Sequence, residues 1–218
     1  ILKNFFLNNF SSKINPLNNL FYIGLFLLPS AFSIAAILFF ILLILSTFNR
    51  KDKYFKDKLN IFFLAGGALM ILSSFVHTFK NNLTPYELNS NLSWIGLANW
   101  IPFFWCYWGF RPFLNSDEKR KKSGLILLSG TFPVLITGIG QSFFNWNGPF
   151  EIFNGLIVWY QRPLDGITGL TGLFNNPNYA GCWLNIIWPF CLAALIDKGN
   201  NFIQNISIYF FNFGISIS

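Results

Sequence analysis

Long apolar blocks separated by short polar connections dominate this sequence. The blocks cover residues 20–48, 59–79, 92–114, 123–144 and 178–196, and a sixth begins near residue 202 and is cut off at Ser218. A transmembrane helix needs about 20 consecutive, mainly apolar residues. The pattern therefore predicts an all-α fold, a polytopic transmembrane helix bundle of about five to six spans plus a truncated last span.

The first block is longer than one span requires, and Pro29 and Ser30 lie within its first half. It is either one tilted, Pro-kinked helix or two short helices that form a hairpin. A cytoplasmic N-terminus, which Lys3 and Lys13 favour, would require the hairpin.

The basic residues predict the orientation of the spans. They are concentrated in two connections, residues 49–58 and 111–122, and are sparse in residues 80–91 and 145–177. Connections rich in Lys and Arg stay on the cytoplasmic side of a membrane. We therefore expect a multi-pass membrane protein, with the first two connections cytoplasmic and the other two on the outer or periplasmic side.

Composition supports a membrane protein and argues against other classes. The chain is 53% hydrophobic and 11% charged, whereas soluble domains carry about a quarter charged residues. The net charge of +7 lies mostly in the cytoplasmic connections, so we expect no nucleic-acid partner. The three cysteines, Cys106, Cys182 and Cys191, all lie in apolar blocks and lack the spacing of metal ligands. We therefore expect no disulfide framework and no metal site.

The chain divides into four parts on this pattern. Residues 1–19 form an N-terminal segment, residues 20–144 the N-terminal transmembrane helices, residues 145–177 a periplasmic or interfacial loop, and residues 178–218 the start of a further, truncated core. The chain begins with Ile1 and ends inside an apolar run, which predicts a fragment of a longer protein.

The loop carries the most informative residues. Residues 150–160 are too few to span a membrane and too apolar for water, so we expect an interfacial helix or a re-entrant piece, anchored by Trp159 and Tyr160. Arg162 follows at the depth of lipid phosphates. We expect Asn178 to cap the next helix, whose N-terminal N–H groups would suit an anion.

An arginine, a Gly-rich turn and then Gly-Leu-Phe-Asn-Asn-Pro-Asn-Tyr-Ala-Gly before an apolar helix resemble the O-antigen ligase/polymerase superfamily. The specific resemblance covers residues 161–195, and the preceding blocks, including Gly-Leu-Phe-Leu-Leu-Pro-Ser at residues 24–30, fit the same family. The resemblance implies an integral-membrane glycosyltransferase that works without a metal or other cofactor. The resemblance also implies a place in the bacterial inner membrane and a role in lipopolysaccharide biosynthesis.

The resemblance also implies the partners of the protein. An undecaprenyl-diphosphate-linked glycan would be the donor at the periplasmic face of the lipid bilayer, and a glycan or lipid A-core sugar would be the acceptor. Family members place catalytic residues in a large loop further along the chain. We therefore expect the catalytic residues downstream of Ser218 and the fragment to be inactive alone.

Four residues are the candidate substrate-binding set: Arg162, Gly172, Asn176 and Asn178. A guanidinium can grip a diphosphate with two parallel hydrogen bonds, although Arg162 could equally anchor the helix to headgroups or pair with Asp165. Asn side chains could bind sugar or phosphate, but turns and helix caps also use them.

Other ionisable residues are weaker candidates. His77, the single histidine, could serve as a general base but is more typical of an interfacial position. Glu151 and Asp165 could act on an acceptor hydroxyl, yet their spacing on an irregular loop carries no geometric information.

Two other functions stay open. A transporter of a small anion such as bicarbonate would be expected to show paired broken helices, and only one broken helix start is evident, near residues 166–178. A non-functional remnant of a truncated gene is the third interpretation. The sequence does not distinguish a ligase from a polymerase.

Overall fold

A computed structural model of the chain describes residues 16–49, 54, 57–81, 91–163 and 169–196. These ranges contain the helices α1 (Pro16–Leu27), α2 (Phe32–Asn49), α3 (Lys58–Asn81), α4 (Asn91–Gly109), α5 (Asp117–Gly130), α6 (Phe132–Phe144) and α7 (Pro177–Ile196). A 3-10 turn at Arg111–Phe113 precedes α5, and the strands β1 (Phe150–Ile152) and β2 (Ile157–Trp159) lie between α6 and α7. The predicted all-α character is confirmed, apart from this one short sheet.

Three helical segments among the described residues are long and apolar enough to cross a membrane. They are Phe32–Asn49, Lys58–Phe79 and Asp117–Phe144, the last of which joins α5 and α6 through Thr131. The other predicted blocks, 92–114 and 178–196, largely form helices, but the full number of five to six spans stays a prediction. The block that begins near residue 202 and most of the segment 1–19 lie outside the described residues.

The first apolar block consists of two helices that fold back on each other. The chain leaves helical geometry between Leu27 and Phe32, at the Pro29–Ser30 pair. The rings of Phe21 and Phe39 are 6.0 Å apart, whereas one straight helix would separate these residues by about 27 Å. The structure therefore decides for the hairpin.

Helix α5 begins inside the connection that the sequence predicts to be a loop. Ser116 caps it, because the Ser116 hydroxyl accepts a hydrogen bond from the backbone N–H of Lys119 at 3.3 Å. Asp117 and Glu118 occupy the first turn, where carboxylates favour the positive end of the helix dipole. The prediction of a loop over residues 111–122 is wrong in its second half, since Lys119–Lys122 are helical.

The described chain forms two compact units, and the larger contains residues up to Leu42 and from Leu114 onwards. In this unit α1 and α5 run in the same direction, because Tyr22 contacts Lys122 and Phe26 contacts Gly130. Helix α7 runs against them, with the Trp183 indole donating to Thr131 and Phe190 lying against Gly124. The core cluster contains Leu135 of α6 and Ile187, Cys191 and Ala194 of α7, and Leu125, Leu127 and Leu128 of α5 pack against it.

The smaller unit covers Leu43–Phe113 and contains the end of α2 with α3 and α4. The Ser46 hydroxyl donates to the carbonyl of Gly109 at 3.2 Å, and the Trp105 indole donates to the Thr47 hydroxyl at 3.0 Å. Phe63 stacks on Phe104, with ring centroids 5.2 Å apart. Aromatic contacts of this kind hold helices together where apolar burial alone gives little preference for one partner.

The connection from α6 to α7 contains a β-hairpin where the sequence predicted an interfacial helix or a re-entrant piece. Strands β1 and β2 pair antiparallel, with Phe150 opposite Trp159 and Ile152 opposite Ile157. Phe153 and Asn154 adopt positive φ angles at the turn, followed by Gly155. The correction has a physical reason: Asn154-Gly155 favours a tight turn between two β-branched and aromatic runs, so the segment pairs with itself.

Candidate functional site

A single side chain of α6 organises the segment that contains Arg162. Gln141 is fully buried, with 0% of its surface exposed. Its Oε1 accepts hydrogen bonds from the backbone N–H groups of Thr171 and Gly172, each at 3.0 Å. Its Nε2 donates to the Thr171 hydroxyl at 3.0 Å and to the carbonyl of Arg162. One amide thus joins both sides of the loop to the helix.

Backbone hydrogen bonds extend this junction on either side of Gln141. The N–H of Arg162 donates to the Thr171 hydroxyl at 3.1 Å. The N–H of Tyr160 donates to the carbonyl of Leu173, also at 3.1 Å. Residues 160–162 and 171–173 therefore lie side by side, and hydrogen bonds to the second segment hold the chain at Tyr160 and at Arg162.

Gly172 belongs to this junction and not to an exposed surface. It is buried and has a φ angle of +52°, and a Cβ atom there would lie 3.2 Å from the carbonyl oxygen of Val134 on α6. Glycine tolerates both the positive φ and the close approach. Because the N–H of Gly172 is bonded to Gln141, this residue has no free backbone donor for the predicted substrate contact. The structure gives Gly172 a packing role instead.

The side chain of Arg162 lies at the surface with its orientation set by two neighbours. Its Nε donates to Asn175 Oδ1 at 2.7 Å. The centre of the guanidinium is 5.8 Å from the ring centroid of Tyr160, within the range of a cation–π contact. The two terminal nitrogens have no hydrogen-bond partner among the described residues, so the group presents a planar pair of donors outward.

Helix α7 begins next to this guanidinium, and its N-cap is Asn176. The Asn176 side chain accepts a hydrogen bond from the N–H of Asn178 at 2.8 Å, and Pro177 takes the first helical position, where its missing N–H costs nothing. The prediction that Asn178 caps the helix is therefore wrong by two residues. Asn176 directly precedes Pro177, and a residue before proline is restricted to extended geometry, which is also the geometry of an N-cap.

This capping changes what the start of α7 offers to an anion. The N–H of Asn178 is bonded to the Asn176 side chain, and those of Tyr179 and Ala180 are bonded to the Asn176 carbonyl. The helix dipole still favours negative charge at this end, but these three amide donors are occupied. Arg162 therefore stays the cationic candidate at this helix start, and the exposed Asn178 side chain lies in the first turn of α7.

Of the three remaining ionisable candidates, the structure describes His77 and Glu151. His77 lies in the smaller unit, in an open groove of about 410 Å³ between α3 and α4 that Ser73, Ser74 and Ser93 also line. Glu151 lies on strand β1 with its side chain exposed, and Asp165 lies outside the described residues. Sequence reasoning missed Gln141 and Thr171, and it named Tyr160 only as an interfacial anchor. The one available indication was the single glutamine of α6, a mainly apolar helix.

The described residues contain no group of three or more His, Cys, Asp or Glu side chains that could hold a metal ion. The Arg162 guanidinium is a planar cation that is hydrogen-bonded along one edge only. Such a group suits an oxyanion with two adjacent oxygens, such as a phosphate or a carboxylate.

Comparison with protein-family models, with curated proteins and with solved structures gave no match. The site is therefore interpreted from its own geometry and from the sequence motif around it.

Proposed function

We propose that this chain is part of an integral-membrane glycan transferase of the O-antigen ligase or polymerase type, which uses an undecaprenyl-diphosphate-linked glycan at the periplasmic face of the inner membrane. The observation that carries the proposal is the orientation of Arg162. Its guanidinium is fixed by Asn175 and Tyr160 at the start of α7, within the motif that resembles this superfamily. Its two terminal nitrogens have no hydrogen-bond partner among the described residues, which supports their proposed contact with the donor diphosphate.

In the proposed reaction an acceptor hydroxyl attacks the anomeric carbon of the donor sugar. The new glycosidic C–O bond forms as the bond from that carbon to the diphosphate oxygen breaks, and undecaprenyl diphosphate leaves with the electron pair. Arg162 binds the diphosphate through two N–H donors and stabilises the charge that develops on the leaving oxygen. The acceptor is a glycan or a lipid A-core sugar, and the base that takes its proton is not assigned to a described residue.

The membrane setting of the proposal includes a bundle of five to six spans, with residues 145–177 on the periplasmic side. Three helices are long and apolar enough to cross a membrane, which supports this setting. Asn176 and Asn178 remain proposed contacts to sugar or phosphate at the same end of α7. Gly172 contributes through the close packing that its missing side chain permits.

Arg162→Ala in the full-length gene product tests the proposal directly. We expect transfer of glycan from a polyprenyl-diphosphate donor to fall by about two to three orders of magnitude, the usual loss when one charge-stabilising donor is removed. The amount of protein in the membrane should stay unchanged, because the Arg162 side chain is exposed. The measurement is product formation in membranes that contain equal amounts of each variant.

Two further variants separate the effect of the positive charge at residue 162 from that of its planar pair of donors, and from the loss of an arginine elsewhere. Arg162→Lys keeps the charge but loses the planar pair of donors, so it should recover only part of the activity. Arg120→Ala removes an exposed arginine on α5 that bonds within its own segment to Asp117, and it should leave transfer unchanged. Full activity of Arg162→Ala would remove this residue from the mechanism and leave the proposed function without structural support.

A further inference from the structure

The hairpin of β1 and β2 has one apolar face. Side chains alternate between the two faces of a strand, and the register places Phe150, Ile152, Ile157 and Trp159 on the same face. Glu151 and Val158 form the opposite face. Phe150 and Ile152 are exposed, and Ile157 and Trp159 are half-buried. The half of this apolar face formed by strand β1 is therefore exposed.

The turn of the hairpin continues this apolar surface. Phe153, at the first turn position, has 73% of its surface exposed, and Leu156 at the return is exposed as well. A short hairpin in water normally places polar residues at its tip, because apolar side chains there bury nothing. Phe153 and Leu156 flank the exposed Asn154-Gly155 pair, so the tip presents an apolar side chain on each side of its polar centre.

The base of the hairpin lies where two candidate spans end. The Trp159 indole donates to the carbonyl of Ser30 at 2.7 Å, and Ser30 lies just before Phe32, the first residue of the span α2. The other span, Asp117–Phe144, ends shortly before β1, and Phe144 is itself exposed. The apolar face is thus continuous with the ends of two helices that present apolar side chains outward.

We propose that the apolar face and tip of this hairpin lie in the boundary between acyl chains and headgroups of the lipid bilayer. The ends of membrane-spanning helices mark this boundary, and aromatic residues are enriched there. The one charged side chain of the two strands and their turn, Glu151, lies on the opposite face, where it meets water. The partner is therefore a lipid surface held by apolar contact and not by attraction to anionic headgroups.

This placement has a consequence for the height of Arg162. Arg162 follows β2 after Tyr160 and Gln161, and the N–H of Gly148, which precedes β1, donates to the carbonyl of Gln161 at 2.9 Å. The hairpin and the arginine therefore form one hydrogen-bonded segment. A hairpin seated in the lipid boundary holds the guanidinium near the level of lipid phosphates, whatever reaction the protein performs.

The test places a fluorescent probe on each face of the hairpin. Phe153→Cys and Glu151→Cys are labelled with an environment-sensitive nitrobenzoxadiazole maleimide in the full-length protein, with Cys106 and Cys182 replaced by Ser. Buried Cys191 is retained. The protein is reconstituted in phosphatidylcholine vesicles that carry nitroxide lipids labelled near the headgroup. We expect these lipids to quench the probe at residue 153 several-fold more than at residue 151, and aqueous iodide to quench in the reverse order.

Two results would overturn the proposal. Equal iodide quenching at both positions would place the tip in water. Protection of residue 153 from both quenchers would show that protein covers it, either a second copy or another part of the chain. Leu156→Cys repeats the test at a second tip position, and Cys191 must stay unlabelled in every variant as evidence of folding. Because no step uses glycan transfer, the result is independent of the proposed enzymatic activity.

Discussion

A glutamine amide buried in an apolar helix destabilises the fold unless its donors and acceptor are all satisfied. Gln141 meets this condition through Arg162, Thr171 and Gly172. The polar residue is therefore the means by which the loop backbone, which is irregular at this depth, obtains its hydrogen bonds. The position of the exposed Arg162 depends in this way on a fully buried residue of α6.

Gln141→Leu should destabilise the protein and loosen the loop. It leaves the buried N–H groups of Thr171 and Gly172 without acceptors, and we expect a loss of about 3 kcal/mol in the free energy of unfolding, since each unsatisfied buried group costs about 1–3 kcal/mol. The midpoint of thermal unfolding in detergent should fall. Hydrogen–deuterium exchange at Thr171 and Gly172 should become faster.

Two substitutions control for general effects on α6. Ser142→Leu makes a similar polar-to-apolar change at the next residue, which is exposed, and it should leave exchange at Thr171 unchanged. Gln141→Glu, measured at a pH low enough to keep the buried carboxyl protonated, keeps an acceptor for the two N–H groups and an O–H donor for the Arg162 carbonyl. It should therefore speed exchange at Thr171 less than Gln141→Leu does. Unchanged exchange in Gln141→Leu would contradict the role assigned to this side chain.

At the scale of elements, close packing between helices depends on glycines at particular positions. A Cβ atom at Gly130 on α5 would clash with the backbone carbonyl of Phe26 on α1. A backbone neighbour cannot move aside as a flexible side chain does. Small residues permit such close helix contacts in a membrane, where the hydrophobic effect does not drive helices together.

Gly130→Ala should therefore separate α1 from α5 and lower stability by about 1–3 kcal/mol, the typical cost of overpacking. Gly138→Ala on α6 is the matched control, because nothing lies within 4 Å of a Cβ atom there. It should be neutral or stabilising by up to about 1 kcal/mol through helix propensity. The comparison is made by thermal unfolding in the same detergent, and equal midpoints for both variants would contradict the packing described.

At the scale of the whole molecule, the charge distribution predicts which loops face the cytoplasm. Lys56→Cys lies in a connection rich in Lys and Arg, and Asn147→Cys lies just after α6 in the loop that carries Arg162. In intact cells with a permeable outer membrane, an impermeant maleimide should label residue 147 and leave residue 56 unlabelled until the inner membrane is opened. Labelling of residue 56 from outside would reverse the predicted topology.

How far the sequence alone predicts this protein differs from one feature to the next. Apolar blocks as long as a bilayer is thick predict membrane helices, because length and composition are local properties of the chain. The same pattern left two conformations open for residues 20–48, since Pro29 permits both a kink and a turn. The contact of Phe21 with Phe39, which joins residues distant in sequence, decides between them.

The sequence by itself also identified Arg162, Asn176 and Asn178 as a group, because they lie within one short motif. Which asparagine caps α7 depends on where the helix starts, and the structure places that start at Pro177. The hairpin of residues 150–159, the burial of Gly172 and the role of Gln141 came only from the tertiary structure. The hydrogen bonds of Gln141 and of the Trp159 indole join residues 20 or more positions apart, and a local pattern of apolar and polar residues contains no information about such pairs.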